Sequence, residues 1–151
     1  NKMNTKGLIK ANEDRTVDYL KPSYYAFQHL SSIFDYTLEP TITYPYQCNN
    51  KRELSLYGFE HIISGFQAVA FWYSDEWPTD NLETDEINFT FPNGSFTDPV
   101  LVDIRTGKIY DIPDNQWSKN GTEYSFKKIH VYDSPLLIIE KSLLRINNIN
   151  E

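Results

Sequence analysis

The chain has 151 residues, a formal net charge of −7 and a single cysteine. The acidic balance argues against a nucleic-acid or anionic-membrane partner, because both favour a basic surface. The length favours one domain with a sizeable core. One cysteine excludes an intrachain disulfide, and no apolar run approaches the roughly 20 residues of a membrane span.

The first part of the chain divides into a lead-in and a helix. Residues 1–20 are polar and without sustained periodicity, so we interpret them as a lead-in segment. From Lys21 to Tyr36, apolar side chains recur every three or four positions, which predicts a helix. Pro22 suits its first position, and the residue before a proline is restricted to extended backbone. The aromatic stripe is wider than one sheet face needs. If the helix also packs against a partner outside this chain, part of the stripe should be exposed here.

The rest of the chain has the pattern of strands. Residues 66–73 and 136–139 are apolar on both alternating faces, which predicts central strands covered on both sides. Residues 86–91 alternate apolar and polar, which predicts one inward face. Residues 113–121 are predicted to be a polar loop.

A hairpin is predicted over residues 98–112. We expect a three-residue loop, 105–107, because this register sets Ile104 opposite Lys108 and keeps one face of the hairpin apolar. The same loop type needs a left-handed residue, which we assign to Gly107.

About eight short strands without alternating helices predict a mainly β fold. We expect an antiparallel two-sheet β-sandwich of immunoglobulin-like type over residues 37–146, preceded by the one N-terminal helix and followed by a tail at 147–151.

Signals for catalysis and metal binding are weak. The three histidines are far apart and are better explained as structural residues. One cysteine cannot supply a zinc signature, and the chain contains no nucleophile elbow, P-loop or dinucleotide fingerprint. We therefore predict no catalytic residue, no metal site and no cofactor.

The strongest ligand-binding signal is a group of aromatic side chains, most of them near the acidic loop at residues 74–85. Aromatic rings stack on sugar faces, and carboxylates accept hydrogen bonds from hydroxyl groups. The same rings would also suit a strand-rich core, and this alternative stays open. The candidate carbohydrate-binding residues are Trp72, Tyr73, Asp75, Trp77 and Trp117.

Four segments resemble the carboxy-terminal part of (β/α)8-barrel glycoside hydrolases that carry a trailing β-sandwich. KPSYYAFQHLSSIFD is similar to the last barrel helix of that family. FQAVAFWYSDEWPTD, DPVLVDIRTGKIYDI and IHVYDSPLLIIEKS look like strands of the trailing accessory domain.

The resemblance implies a role without catalysis. The catalytic glutamates of that family lie on barrel strands, and none of those strands is present here, so no activity is expected for this chain alone. The resemblance implies a partner, the catalytic barrel of the same polypeptide, packed on the helix, and a bacterial, extracytoplasmic setting. Alternatives are an independent carbohydrate-binding module and a protein-interaction domain.

Overall fold

The computed structural model describes residues 7–41, 45–79 and 82–144. These residues form a mainly β structure with one α-helix, α1, over Pro22–Ile33. The strands are β1 (Ile9–Ala11), β2 (Val17–Leu20), β3 (Leu38–Pro40), β4 (Gln47–Cys48), β5 (Leu54–His61), β6 (Gln67–Tyr73), β7 (Asp85–Phe91), β8 (Pro99–Asp103), β9 (Ile109–Asp111), β10 (Trp117–Asn120), β11 (Glu123–Val131) and β12 (Leu136–Glu140). A 3₁₀ turn follows at Lys141–Leu143.

The strands form three antiparallel sheets. The largest has six strands in the order β3-β5-β6-β12-β8-β9, and the second has four in the order β10-β11-β7-β4. Strands β1 and β2 pair separately as a hairpin. The two larger sheets share one hydrophobic core, an arrangement compatible with a β-sandwich.

The core between the sheets is rich in aromatic rings. Phe71 of the six-stranded sheet meets Phe89 of the four-stranded sheet with ring centroids 4.9 Å apart. Phe91 and Phe126 extend the cluster along the second sheet. Ile138 of β12 is a buried member of the same cluster. Burying each such side chain contributes about 1.5–3 kcal/mol, so this cluster is the main source of stability.

Helix α1 covers the opposite face of the six-stranded sheet. The rings of Phe34 and Phe59 meet edge to face at 4.7 Å, and Ile33 packs with them against the buried residues of β8 and β12. The His29 ring donates from Nδ1 to the carbonyl oxygen of Ile104 at 3.0 Å. The six-stranded sheet is therefore the middle layer, which explains why β6 and β12 are apolar on both faces.

The helix prediction is confirmed, with an earlier end. Pro22 occupies the first turn, and Lys21 is extended at φ −74° and ψ 158° without a side-chain cap. The helix ends at Ile33, before the predicted Tyr36, because Phe34 turns extended to pack on the sheet. The central positions predicted for β6 and β12 are also confirmed.

The hairpin prediction is right about the two strands and wrong about the register. Val100 faces Asp111 and Val102 faces Ile109, which leaves a four-residue loop, 104–107, instead of three residues. Strand β8 is buried on both faces, and β9 is exposed throughout. The rule that one face stays apolar therefore could not fix the register. Gly107 does take the left-handed conformation, at φ 73°.

One further expectation is corrected, and one segment contains strands that the sequence did not predict. The predicted polar loop at 113–121 contains strand β10, which pairs with β11 through Trp117 and Phe126. The described part of the lead-in segment, residues 7–20, contains the β1–β2 hairpin, whose connecting turn includes a hydrogen bond from the Arg15 amide to the Asn12 carbonyl. Both are short edge elements with polar residues, so hydrophobic periodicity gave no signal for them.

Candidate functional site

The three tryptophans of the predicted sugar-binding group lie in separate places. Trp72 stacks on Tyr57 with centroids 5.4 Å apart, on the α1 side of the six-stranded sheet. Trp117 lies on β10 and stacks parallel to Tyr124 at 6.4 Å, packed against the core between the sheets. Trp77 is 90% exposed. The structure thus does not bring these rings together into one aromatic platform.

Tyr73 and Asp75 do lie together, around Arg52. The guanidinium binds Asp75 in a bidentate pair, with Nε and Nη2 at 2.9 and 2.8 Å from the two carboxylate oxygens. Its Cζ atom lies 3.9 Å from the centroid of the Tyr73 ring. Arg52 lowers the pKa of Asp75 through hydrogen bonds and charge. The arrangement holds the start of the acidic loop against the sheet.

A small cavity of about 210 Å³ adjoins this ion pair. It carries an excess of carboxylates, among them Glu76, Glu83 and Asp133. The Asp133 carboxylate accepts hydrogen bonds from the amide and hydroxyl groups of Thr79, at 2.6 and 3.0 Å. Across residues 7–41, 45–79 and 82–144, no group of three or more His, Cys, Asp or Glu side chains is placed to hold a metal.

The three histidines have local structural partners. His29 binds the Ile104 carbonyl, His61 Nδ1 lies 2.8 Å from the Ser64 hydroxyl, and His130 Nδ1 lies 3.0 Å from the Thr84 hydroxyl. No two of them share a partner in these hydrogen bonds. Their geometry agrees with the structural role predicted from their spacing in the sequence.

Helix α1 leaves a broad apolar surface uncovered. Tyr25, Phe27 and Leu30 are 45%, 59% and 40% exposed, and no residue of the helix is buried. A groove of about 730 Å³ runs between the helix and the neighbouring loops, with Ile104 and Pro135 on its far side. The expectation that part of the aromatic stripe is exposed is confirmed. Phe27 and Leu30 line this groove, whereas Tyr25 lies on another side of the helix. We call Phe27, Leu30 and this groove the α1 face.

A second concave site lies at the mouth between the two larger sheets. It is a cleft of about 430 Å³ with Leu101 and Ile129 on its floor and Lys108 and Lys128 among its polar residues. Sequence reasoning did not identify it, because these residues come from β8, β11 and the position just before β9, and only the packing of the two sheets brings them together. The positive φ angle of Lys128, a further feature of this cleft, could not be predicted from the sequence either.

The described part of the chain has no helix that is long and apolar enough to cross a membrane. Comparisons with models of protein families, with curated proteins and with solved structures gave no match.

Proposed function

We propose that this chain is a non-catalytic β-sandwich accessory domain of a glycoside hydrolase, which packs through the α1 face against a catalytic barrel in the same polypeptide and stabilises it. The observation that supports the proposal is the exposed apolar α1 face. The glycoside hydrolase assignment and the extracytoplasmic setting rest on the resemblance of the four sequence segments.

The α1 face has the properties of a docking surface. Side chains such as Phe27 and Leu30 cost free energy while they are exposed to water, at roughly 25 cal/mol per Å² of apolar surface. Exposed apolar side chains that border an apolar groove, as Phe27 and Leu30 do, are typical of an interaction site. Its sheet-facing side is fixed by Phe34 and His29, so the helix is held in place independently of the partner.

The test begins with the polypeptide that carries this chain. We expect a (β/α)8 barrel before Asn1, and we expect the purified 151-residue chain to hydrolyse no aryl glycoside. The barrel should be produced separately and mixed with the chain. Calorimetry should then detect binding, and the barrel's melting temperature should rise.

The variant for this test is the double substitution Phe27→Ser and Leu30→Ser. We expect it to abolish binding to the barrel while the chain stays folded. The matched control is Ile63→Ser, which also removes an exposed aliphatic side chain but lies outside the α1 face. A polypeptide without a barrel, or equal binding by the double variant and the control, contradicts the proposal.

An independent carbohydrate-binding module is the second candidate, supported by one observation. Trp77 is 90% exposed and follows Asp75 and Glu76, so its indole face is open to a sugar ring. Affinity electrophoresis in gels that contain polysaccharides tests this role. Retarded migration that is lost in Trp77→Ala and kept in Trp117→Phe favours the module, and unretarded migration excludes it for the glycans tested.

A further inference from the structure

The cleft between the two larger sheets reaches the hydrophobic core. Its floor is formed by Leu101, Ile112, Ile129 and Leu136, which are buried members of the core cluster. A volume of about 430 Å³ lies within the range of small-molecule sites in proteins, which are concave and mostly apolar with a few polar groups. The cleft therefore offers an apolar floor to a ligand of moderate size.

The carboxylates that border the cleft already have partners. Asp103 accepts hydrogen bonds from the Tyr132 hydroxyl at 3.0 Å, the Thr106 hydroxyl at 2.8 Å and the Arg105 amide at 2.9 Å. Asp111 accepts one from the Lys141 ammonium at 2.7 Å. The charge of Asp111 is balanced by Lys141. Asp103 keeps its charge, but its oxygens are already engaged by three neutral donors, so Lys108 and Lys128 are the groups left to interact with an incoming anion.

The ammonium groups that border the cleft are not paired in this way. Lys108 and Lys128 both line it, and within the described ranges neither ammonium group makes an ion pair or a hydrogen bond. This is notable in a chain of net charge −7, where carboxylates outnumber cations. Two such lysines over an apolar floor are complementary to a molecule with one anionic end and one apolar body.

The backbone at Lys128 strengthens the argument. Lys128 has φ 54° at the point where the pairing of β11 with β7 shifts register, and its amide donates to Asn88 Oδ1 at 2.9 Å. A non-glycine residue in this region costs about 1–2 kcal/mol. Bulges of this kind redirect side chains and occur often beside functional sites. The bulge places this lysine on the cleft at an energetic cost.

We propose that this cleft binds a small amphipathic anion, a carboxylate or sulfonate whose aromatic or aliphatic body lies on the apolar floor while Lys108 and Lys128 hold its charged group. The proposal does not depend on the function of the α1 face.

Binding can be measured with the full chain and 8-anilinonaphthalene-1-sulfonate, an aromatic sulfonate that fluoresces when it leaves water. We expect fluorescence enhancement with saturable binding. Amide chemical-shift changes in NMR spectra should concentrate at Leu101, Ile112 and Ile129. Octanoate should displace the probe at a concentration at least about tenfold lower than octanamide, its neutral analogue, because charge-assisted hydrogen bonds are the stronger ones.

The variant is the double substitution Lys108→Gln and Lys128→Asn. Asparagine tolerates positive φ, so this change removes the charge without adding backbone strain. We expect the affinity for the probe to fall at least about tenfold. The matched control Lys51→Gln removes an exposed lysine that does not line the cleft and should leave the affinity unchanged.

Three results would overturn the proposal: no saturable binding of the probe, equal affinity in the double variant and the control, or shift changes confined to the α1 face. If the double variant fails to fold, the comparison of octanoate with octanamide on the unmodified chain decides the question. Equal displacement by the two compounds then rejects the anionic selectivity.

Discussion

At the scale of single residues, Gly107 shows how one turn position supports another element. Its φ is 73°, and a Cβ atom there would lie 2.5 Å from His29 Nε2. Gly107→Ala should therefore add backbone strain and displace the ring that binds the Ile104 carbonyl. We expect a loss of about 2–4 kcal/mol in the free energy of unfolding, measured by urea denaturation.

Gly121→Ala is the control for this prediction. Gly121 also has positive φ, at 65°, but a Cβ atom added there would meet no other atom within 4 Å. Gly121→Ala should lower the free energy of unfolding only by the cost of backbone strain, about 1–2 kcal/mol. Equal losses in the two variants would mean that the His29 contact contributes nothing.

Two buried tyrosines differ in the state of their hydroxyl groups. The Tyr73 hydroxyl is buried and has no hydrogen-bond partner among the described residues, whereas the Tyr132 hydroxyl donates to Asp103. At pH 7 we expect Tyr73→Phe to change the free energy of unfolding by less than about 0.5 kcal/mol, and Tyr132→Phe to cost about 1–2 kcal/mol. Urea denaturation of both variants measures the difference.

Tyr73 also predicts how stability falls at alkaline pH. Burial raises the pKa of Tyr73 to about 12, and the charge of Asp85 adds to the effect. The unfolded pKa is near 10. In the folded state Tyr73 therefore stays protonated to a higher pH than in the unfolded state. The stability that is present below about pH 10 is lost as the pH rises towards about 12. Tyr73→Phe should reduce this alkaline loss; an unchanged profile would contradict the assignment.

At the scale of elements, helix α1 has a sheet-facing end and an exposed face with different energetic roles. Phe34→Ala removes the ring packed on Phe59 and should cost about 2–3 kcal/mol, somewhat less than a fully buried phenylalanine. Phe27→Ala, on the α1 face, should change stability by less than about 0.5 kcal/mol. Urea denaturation compares them, and a similar cost for both would show that the exposed face also stabilises this chain.

The elements also show where sequence reasoning succeeds. Helix α1 was predictable because Pro22 and a periodic stripe specify it locally, and β6 and β12 because an apolar run on both faces requires cover on both sides. The register of β8 and β9 was not predictable, since β8 is buried on both faces and Ile109 and Tyr110 of β9 are exposed. Strand β10 was not predicted, because an edge strand pairs with only one neighbour and can form from a polar sequence without a periodic apolar pattern.

At the scale of the whole molecule, the six-stranded sheet is shared by the core between the sheets and by the α1 layer. Because both layers depend on β6, β8 and β12, we expect them to unfold in one cooperative transition. Trp117 reports on the core between the sheets and Trp72 on the α1 side. Fluorescence of Trp72→Phe/Trp77→Phe and of Trp117→Phe/Trp77→Phe should give coincident melting curves. An earlier transition on the Trp72 side would show that the α1 layer unfolds separately.

The candidate sites were the least predictable feature at this scale. Asp75 and Tyr73 are close in sequence, yet their partner Arg52 comes from another segment. Asp103 ends a strand of one sheet and Tyr132 follows a strand of the other, so the two meet only through packing. Such encounters depend on long-range topology, which neither composition nor periodicity contains. The dispersal of the three tryptophans has the same cause.

The two outer strands of the six-stranded sheet limit how this molecule can associate. Strand β3 ends in Pro40, which has no amide hydrogen, and the three residues of β9 are closely flanked by Lys108 and Pro113. Short edges with proline and lysine are poor templates for strand addition. Recruitment of a partner by main-chain pairing is therefore disfavoured at both edges. Association through side chains on the faces of the molecule is favoured instead. Such association can be specific, and it does not lead to the repeated strand addition that produces fibrils.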